Sequence, residues 1–230
     1  REEPAPLDAF APLHSTTIKE NVTNLLRQSI IDGSLPSGVD LNQAQIAERL
    51  GISRGPVREA LGQLEQEGLI RSVPYKGVFV TPLDPTYVQE LYSLSIALET
   101  FALKLGMQRR DPEDIDALGR IVDAMRAAAK SSDGTEVAKL DLRFHSTIIR
   151  MARNSLLERA WTPLKLGVQR CLHSRHRIYQ SLDQVVGTHP ALIEAIEAGD
   201  ATTALEMLEQ HIIDAGNKLC DLWLDAPDVE

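Results

Sequence analysis

Residues 42–81, NQAQIAERLGISRGPVREALGQLEQEGLIRSVPYKGVFVT, constrain the fold more than any other part of the chain. The first ten set Ile46, Ala47 and Leu50 on the inward side of a short helix that Gly51 stops. Ser53 then reads as an N-cap, with Pro56 in the first turn of the next helix, where its missing N–H costs little. That helix turns Leu61 and Leu64 inward, as Leu69 does beyond its stop at Gly68. Two β-branched runs, IRSV and VFVT, flank the turn PYKG and predict a hairpin. Upstream, Ile18, Val22, Leu25, Leu26 and Ile30 recur at helical spacing as far as Gly33. Three helices followed by a hairpin are the order of a winged helix-turn-helix, predicted over residues 15–82.

Beyond the stretch TPLDP, a hinge by its two prolines, no segment alternates as a strand does. Helical spacing instead predicts six segments at 84–108, 111–130, 134–153, 155–180, 184–198 and 200–224. Asp200 caps the last, whose Leu205, Leu208, Ile212, Ala215, Leu219 and Leu222 form one apolar stripe. Residues 83–230 are therefore expected as an all-helical bundle, its core aliphatic because aromatics are only 4% of the chain. The expected fold is mostly α, a winged helix-turn-helix followed by this bundle. Residues 1–14, acidic and proline-rich, read as a loose tail with no signal-peptide pattern. Two isolated cysteines, Cys171 and Cys220, suggest no disulfide framework, and with no run long enough to span a membrane a cytoplasmic location is expected.

A net charge of −9 argues against nucleic acid until it is located. Residues 14–82 carry seven basic and seven acidic side chains, whereas 83–230 carry 16 and 23. A neutral domain with grouped arginines leaves room for a local DNA-binding face. In a helix-turn-helix the second helix enters the major groove by its first residues, here Ser53, Arg54, Gly55 and Arg58. Arg54 and Arg58, four apart, leave the same face and can pair with guanine or grip phosphate. Gly55 permits close approach of the sugar-phosphate backbone, and Lys76 and Gly77 at the wing tip can reach a phosphate or the minor groove.

The run GISRGPVREALGQLEQEGLI, with YKGVFV after it, resembles the GntR superfamily of bacterial transcription regulators. The helical half is similar to the FadR branch of that superfamily, with its FCD-type ligand-binding domain. The resemblance spans about residues 16–224. It implies a homodimer whose winged helices bind a palindromic operator, with Arg54, Arg58 and Gly77 at positions of DNA contact. Where the family often has a basic residue before the turn, this chain has Ala44 and Gln45.

A second feature lies in LDLRFHSTII, residues 140–149. Asp141 and His145 subtend about 40° on a helical wheel with a rise of ~6 Å, so both can reach one ion. They share their side with Phe144 and Ile148, and His189 and His211 stand on the later helices. Spacing alone leaves two readings open, ligands of one metal or ordinary hydrogen-bonded histidines. The FCD resemblance implies the first, because its metal-binding members are similar at all four positions. Zinc is the first choice, and nickel, manganese or iron(II) suit the same donors.

One aspartate and three neutral histidines leave a divalent ion with a residual charge of about +1 in an apolar bundle, so a small organic acid is expected to bind the metal as effector. Related proteins commonly place an arginine where this chain has Ser95, while Glu99 is retained. Arg170 or Arg175 on the fourth bundle helix is then expected to supply the counter-charge. Two other readings stand beside this one: a purely structural metal with no effector, and a metal-dependent hydrolase. No HExxH, nucleophile elbow or phosphate loop supports catalysis, and no catalytic residue is assigned.

Overall fold

A computed structural model describes residues 17–109, 111–175 and 181–224, with the side chains of Ser174, Arg175 and residues 222–224 outside the described ones. The expected tail at 1–14 also lies outside them. The fold is mostly α, a winged helix-turn-helix followed by a helical bundle.

Helix α1 (Ile18–Ile31) opens on a capping box: Thr17 Oγ1 accepts from Glu20 N, and Glu20 Oε2 accepts from Thr17 N. Helix α2 (Gln43–Leu50) is capped by Asn42 and ends at Gly51, whose φ of 65° is the left-handed conformation of a helix stop. Helix α3 (Arg54–Gln66) follows Ser53, which occupies the N-cap position without making a capping bond. Leu50, expected inward, is exposed instead, and Ala47 carries the buried contact of α2. Strands β1 (Ile70–Val73) and β2 (Gly77–Val80) pair antiparallel with Ile70 opposite Val80. The segment before α2 extends this wing, since Leu41 N donates to Val78 O and Val80 N to Val39 O. Leu26, Ile30, Leu41, Val57, Leu61, Leu64, Leu69 and Val80 form the small core beneath α3.

The bundle begins at Asp84, whose carboxylate accepts from Tyr87 N and caps α4 (Pro85–Met107). It continues with α5 (Pro112–Lys130), α6 (Gly134–Met151), α7 (Ser155–Arg175), α8 (Asp183–Val186), α9 (His189–Ala198) and α10 (Ala201–Leu224). The segment expected as one helix at 184–198 is thus broken at Gly187–Thr188, where Pro190 in the first turn of α9 removes a backbone donor. Helix α6 lies at the centre, packed on α4, α5 and α7, with Phe144 and Ile148 fully buried. At the α4–α6 crossing a Cβ on Gly106 would stand 2.8 Å from Met151 Cβ, so the helices approach as closely as a glycine allows.

Candidate metal centre and nucleic-acid interface

Asp141 and His145 leave α6 toward the first residue of α9, His189, and the middle of α10, His211. One donor atom from each of the four lies within 4.8 Å of the others. Asp141, His145 and His189 are buried, and His211 is half-buried at the rim. Phe144 presses edge-on against His189, ring centroids 4.6 Å apart, and closes the inner side.

Two imidazoles are held from behind. His145 Nδ1 stands 2.5 Å from Glu99 Oε2 on α4, and His211 Nδ1 stands 2.8 Å from Thr188 Oγ1 in the break before α9. A neutral imidazole that donates from Nδ1 carries its lone pair on Nε2, so the Glu99 carboxylate, which only accepts, favours for His145 the tautomer a metal ligand needs, and the Thr188 hydroxyl can accept from His211 in the same way. His145 Nε2 is 3.9 Å from Asp141 Oδ1, and His189 Nε2 is 3.0 Å from that same oxygen. Close as it is, the second pair lacks hydrogen-bond alignment, and neither ring nitrogen of His189 has a hydrogen-bond partner among the described residues. A buried polar ring left in that state is costly unless something else engages it. The donors therefore converge on a common point, which fits a divalent cation with three nitrogen ligands and one oxygen. Burial strengthens the hold of such a set, because water competes poorly there.

A small cavity adjoins the imidazoles, walled by Tyr92, Ser95, Val168, Leu172, Ile212 and Ala215. Ser95 is buried and its Oγ has no hydrogen-bond partner among the described residues. Larger surface depressions lie elsewhere, one between α1, α3 and α7 and one on α5 and α6, and neither brings metal-ligating groups together. Of the expected effector residues, Ser95 and Glu99 both line the cavity, and Glu99 also pairs with His145. Arg170 does not face the cavity: its guanidinium donates from Nη1 to Thr81 O (2.6 Å) and from Nη2 to Ser37 Oγ (2.7 Å). Its charge serves the junction between domains, which corrects its expected place in the effector site. Arg175 closes α7, and its side chain lies outside the described residues. Sequence reasoning missed Thr188, whose one local signal is its place beside a glycine and before His-Pro.

At the other end, Ser53, Arg54 and Arg58 are exposed at the start of α3, with Gly55 between them half-buried. Neither arginine makes an ion pair among the described residues, so both are available to phosphate or base. Lys76 and Gly77 are exposed on the wing, Gly77 at φ 127° against Asp40 Oδ1. Tyr75, which the sequence reading passed over, stands fully exposed at the tip with φ 62°, a left-handed position unusual for its type.

A winged helix with free arginines at its reading end, joined to a helical domain built around inward donors, defines a DNA-binding transcriptional regulator. The profile of bacterial regulatory proteins of the gntR family matches residues 18–80, and that of the FCD domain matches residues 90–214. The chain is 32% identical over 205 residues to a gluconate operon transcriptional repressor of Bacillus licheniformis, covering 86% of this chain and 84% of that one. It is 30% identical over 204 residues to the protein of the same description in Bacillus subtilis, with the same coverage. Escherichia coli McbR/YncC shares the fold at 20% identity and a TM-score of 0.74, over 91% of this chain and all of that one. The chain belongs to the GntR family of bacterial transcription regulators, with an FCD domain as its helical half. It is a regulator and not an enzyme, which removes the hydrolase reading. No helix among the described residues is long and apolar enough to cross a membrane.

Proposed function

We propose that the protein is a cytoplasmic repressor of the FadR branch, whose grip on a palindromic operator is set by a small carboxylate bound at a divalent metal. The observation that carries this reading is the convergence of Asp141, His145, His189 and His211 with two of the imidazoles oriented from outside. When bound, the ion, zinc first, supplies residual positive charge and coordination positions that an anionic oxygen can take. The chain's own residues do the rest. Glu99 and Thr188 fix ring orientation, Ser95 Oγ has a hydroxyl free to donate, and Val168, Leu172 and Ile212 keep water out. Arg175 is proposed as the ligand's counter-charge.

The DNA-reading side of the proposal rests on Ser53, Arg54, Gly55, Arg58, Lys76 and Gly77. A homodimer is supported by α4, where Leu94 (47% exposed) and Phe101 (49%) stand seven residues apart on one face. A dimer of such winged helices is expected to read two half-sites about one helical turn apart.

Calorimetric titration of gluconate, the acid in the two relatives' descriptions, and of other hydroxy and keto acids into zinc-loaded and metal-free protein tests the reading. Binding confined to the loaded form is expected. Equal binding to both forms removes the metal from the mechanism, and tight zinc with no acid bound leaves a purely structural ion.

A further inference from the structure

Helix α7 has two working faces. On a wheel of 3.6 residues per turn, Val168 and Leu172 lie about 160° from Arg170, one on either side of the opposite face. Those two side chains wall the cavity beside His145 and His211. The face of Arg170 looks the other way, toward the DNA-reading domain. Leu166, one turn earlier, packs against the winged-helix core. His173, one turn later, stands near Asp32 at the end of α1: the hydroxyl and N–H of Ser34 hold that carboxyl below its usual range, and His173 adds to the effect.

We propose that Arg170 is a positioning residue that carries a change at the metal-centred cavity to the winged helices through its hold on Ser37 and Thr81. The proposal rests on the reading of that cavity given above. Arg170 is 5% exposed, and burial pulls its pKa down, so a charged group sits where charge is costly. Two hydrogen bonds hold it there, to Thr81 O at 2.6 Å and Ser37 Oγ at 2.7 Å. The same Ser37 Oγ accepts from Leu83 N (3.1 Å), and Thr81 Oγ1 donates to Gly68 O at the end of α3. One guanidinium thus grips the linker, the base of the wing and the turn before it. Gly167 makes the arrangement stiff, since a Cβ there would stand 2.7 Å from Tyr87 Oη and 3.1 Å from Leu91 Cδ1 on α4. With α7 pressed on α4 at that point, a shift of Val168 or Leu172 moves Arg170 with the helix instead of being absorbed beside it. The linker that Arg170 holds is the same segment that feeds α4.

Hydrogen exchange on the full chain tests this, with zinc alone as the probe. In wild-type protein, zinc should slow exchange in α6 and α10 and in peptides covering Ser37 and Thr81–Leu83. Arg170→Gln should bind zinc as tightly and protect the bundle as well. At Ser37 and Thr81–Leu83 it should exchange about tenfold faster or more, and zinc should no longer slow it. Arg170→Lys, which keeps the charge and one bond, should restore part of the zinc response. A purely structural arginine would raise exchange there equally with and without zinc, and that outcome overturns the proposal. So does unchanged exchange in Arg170→Gln. If Arg170→Gln fails to fold, Ser37→Ala removes one acceptor and is judged by the same two criteria. Failure of wild-type protein to take up zinc would sink the metal reading, and with it the relay from that centre, whereas zinc uptake with an unaltered zinc response at the linker in Arg170→Gln overturns the proposal alone.

Discussion

Glu99→Gln isolates the part that orientation plays in metal binding. The carboxylate is 2% exposed, 2.5 Å from His145 Nδ1, and is not one of the four converging donors. Removing such an outer partner lowers metal affinity ~10–100-fold, or about 1.4–2.7 kcal/mol. Glutamine keeps an acceptor for the Nδ1 proton and loses the negative charge, so the expected loss is near the lower end, ~10-fold. Glu99→Ala removes the acceptor as well, leaves a buried N–H unmade at a cost of about 1–3 kcal/mol, and should fall near the upper end. Competition with a chromophoric chelator at neutral pH reads the zinc affinity directly, with circular dichroism to confirm the helical fold. Folded variants that both bind zinc as tightly as wild type would refute the assignment of Glu99 as the group that sets the His145 tautomer. Thr188→Val should act on His211 in the same direction and less strongly, because a hydroxyl carries no charge.

Chelation should lower the melting temperature of wild-type protein and leave that of His145→Ala or His211→Ala unmoved, as thermal denaturation would read. Arg54→Ala and Arg58→Ala should each weaken operator binding by ~1–3 kcal/mol if they read bases, measured by footprinting; a reduced salt dependence would assign them to phosphate. Gly106→Ala should destabilise the bundle by ~1–3 kcal/mol, since its methyl meets Met151 Cβ at 2.8 Å, and denaturant unfolding measures it. Arg27 donates to both carboxylate oxygens of Glu67 (2.8 and 2.7 Å) with both side chains mostly covered, so a double-mutant cycle should return a coupling of about 1 kcal/mol.

What the sequence could and could not reveal follows the range of the interactions. Asn42, Gly51, Asp84 and Asp200 act on backbone within a few residues, so they mark helix ends locally. The α6 ligands were legible for the same reason, one helical turn bringing Asp141 and His145 together. Grouping them with His189 and His211 needed the family pattern, because periodicity says nothing about which helices meet. Glu99 lies 46 positions from His145, and Arg170 lies 89 and 133 from Thr81 and Ser37. No local signal records such partnerships, which is why the hold of Glu99 on His145, and of Arg170 on Ser37 and the Thr81 carbonyl, was not foreseen. Leu50 failed on different grounds: Ala47 and Ile46 supply the contacts of this short helix with the small core, and Leu50 in its last turn is left exposed.

The four inward donors have a consequence for the unfolded chain. Asp141 and His211 stand some 70 residues apart in sequence, on helices α6 and α10. An ion shared between them ties off a loop of that length much as a cross-link does. By the loop-closure relation, a covalent tie over that span removes denatured-state entropy worth about 4 kcal/mol. An ion approaches that figure only while it stays bound in the unfolded chain. Cys171 and Cys220 are both free thiols, so no disulfide supplies the tie. An ion that leaves on unfolding stabilises by mass action instead, indifferent to a reducing environment, and the persistence of the folded bundle would then track how much free metal surrounds it.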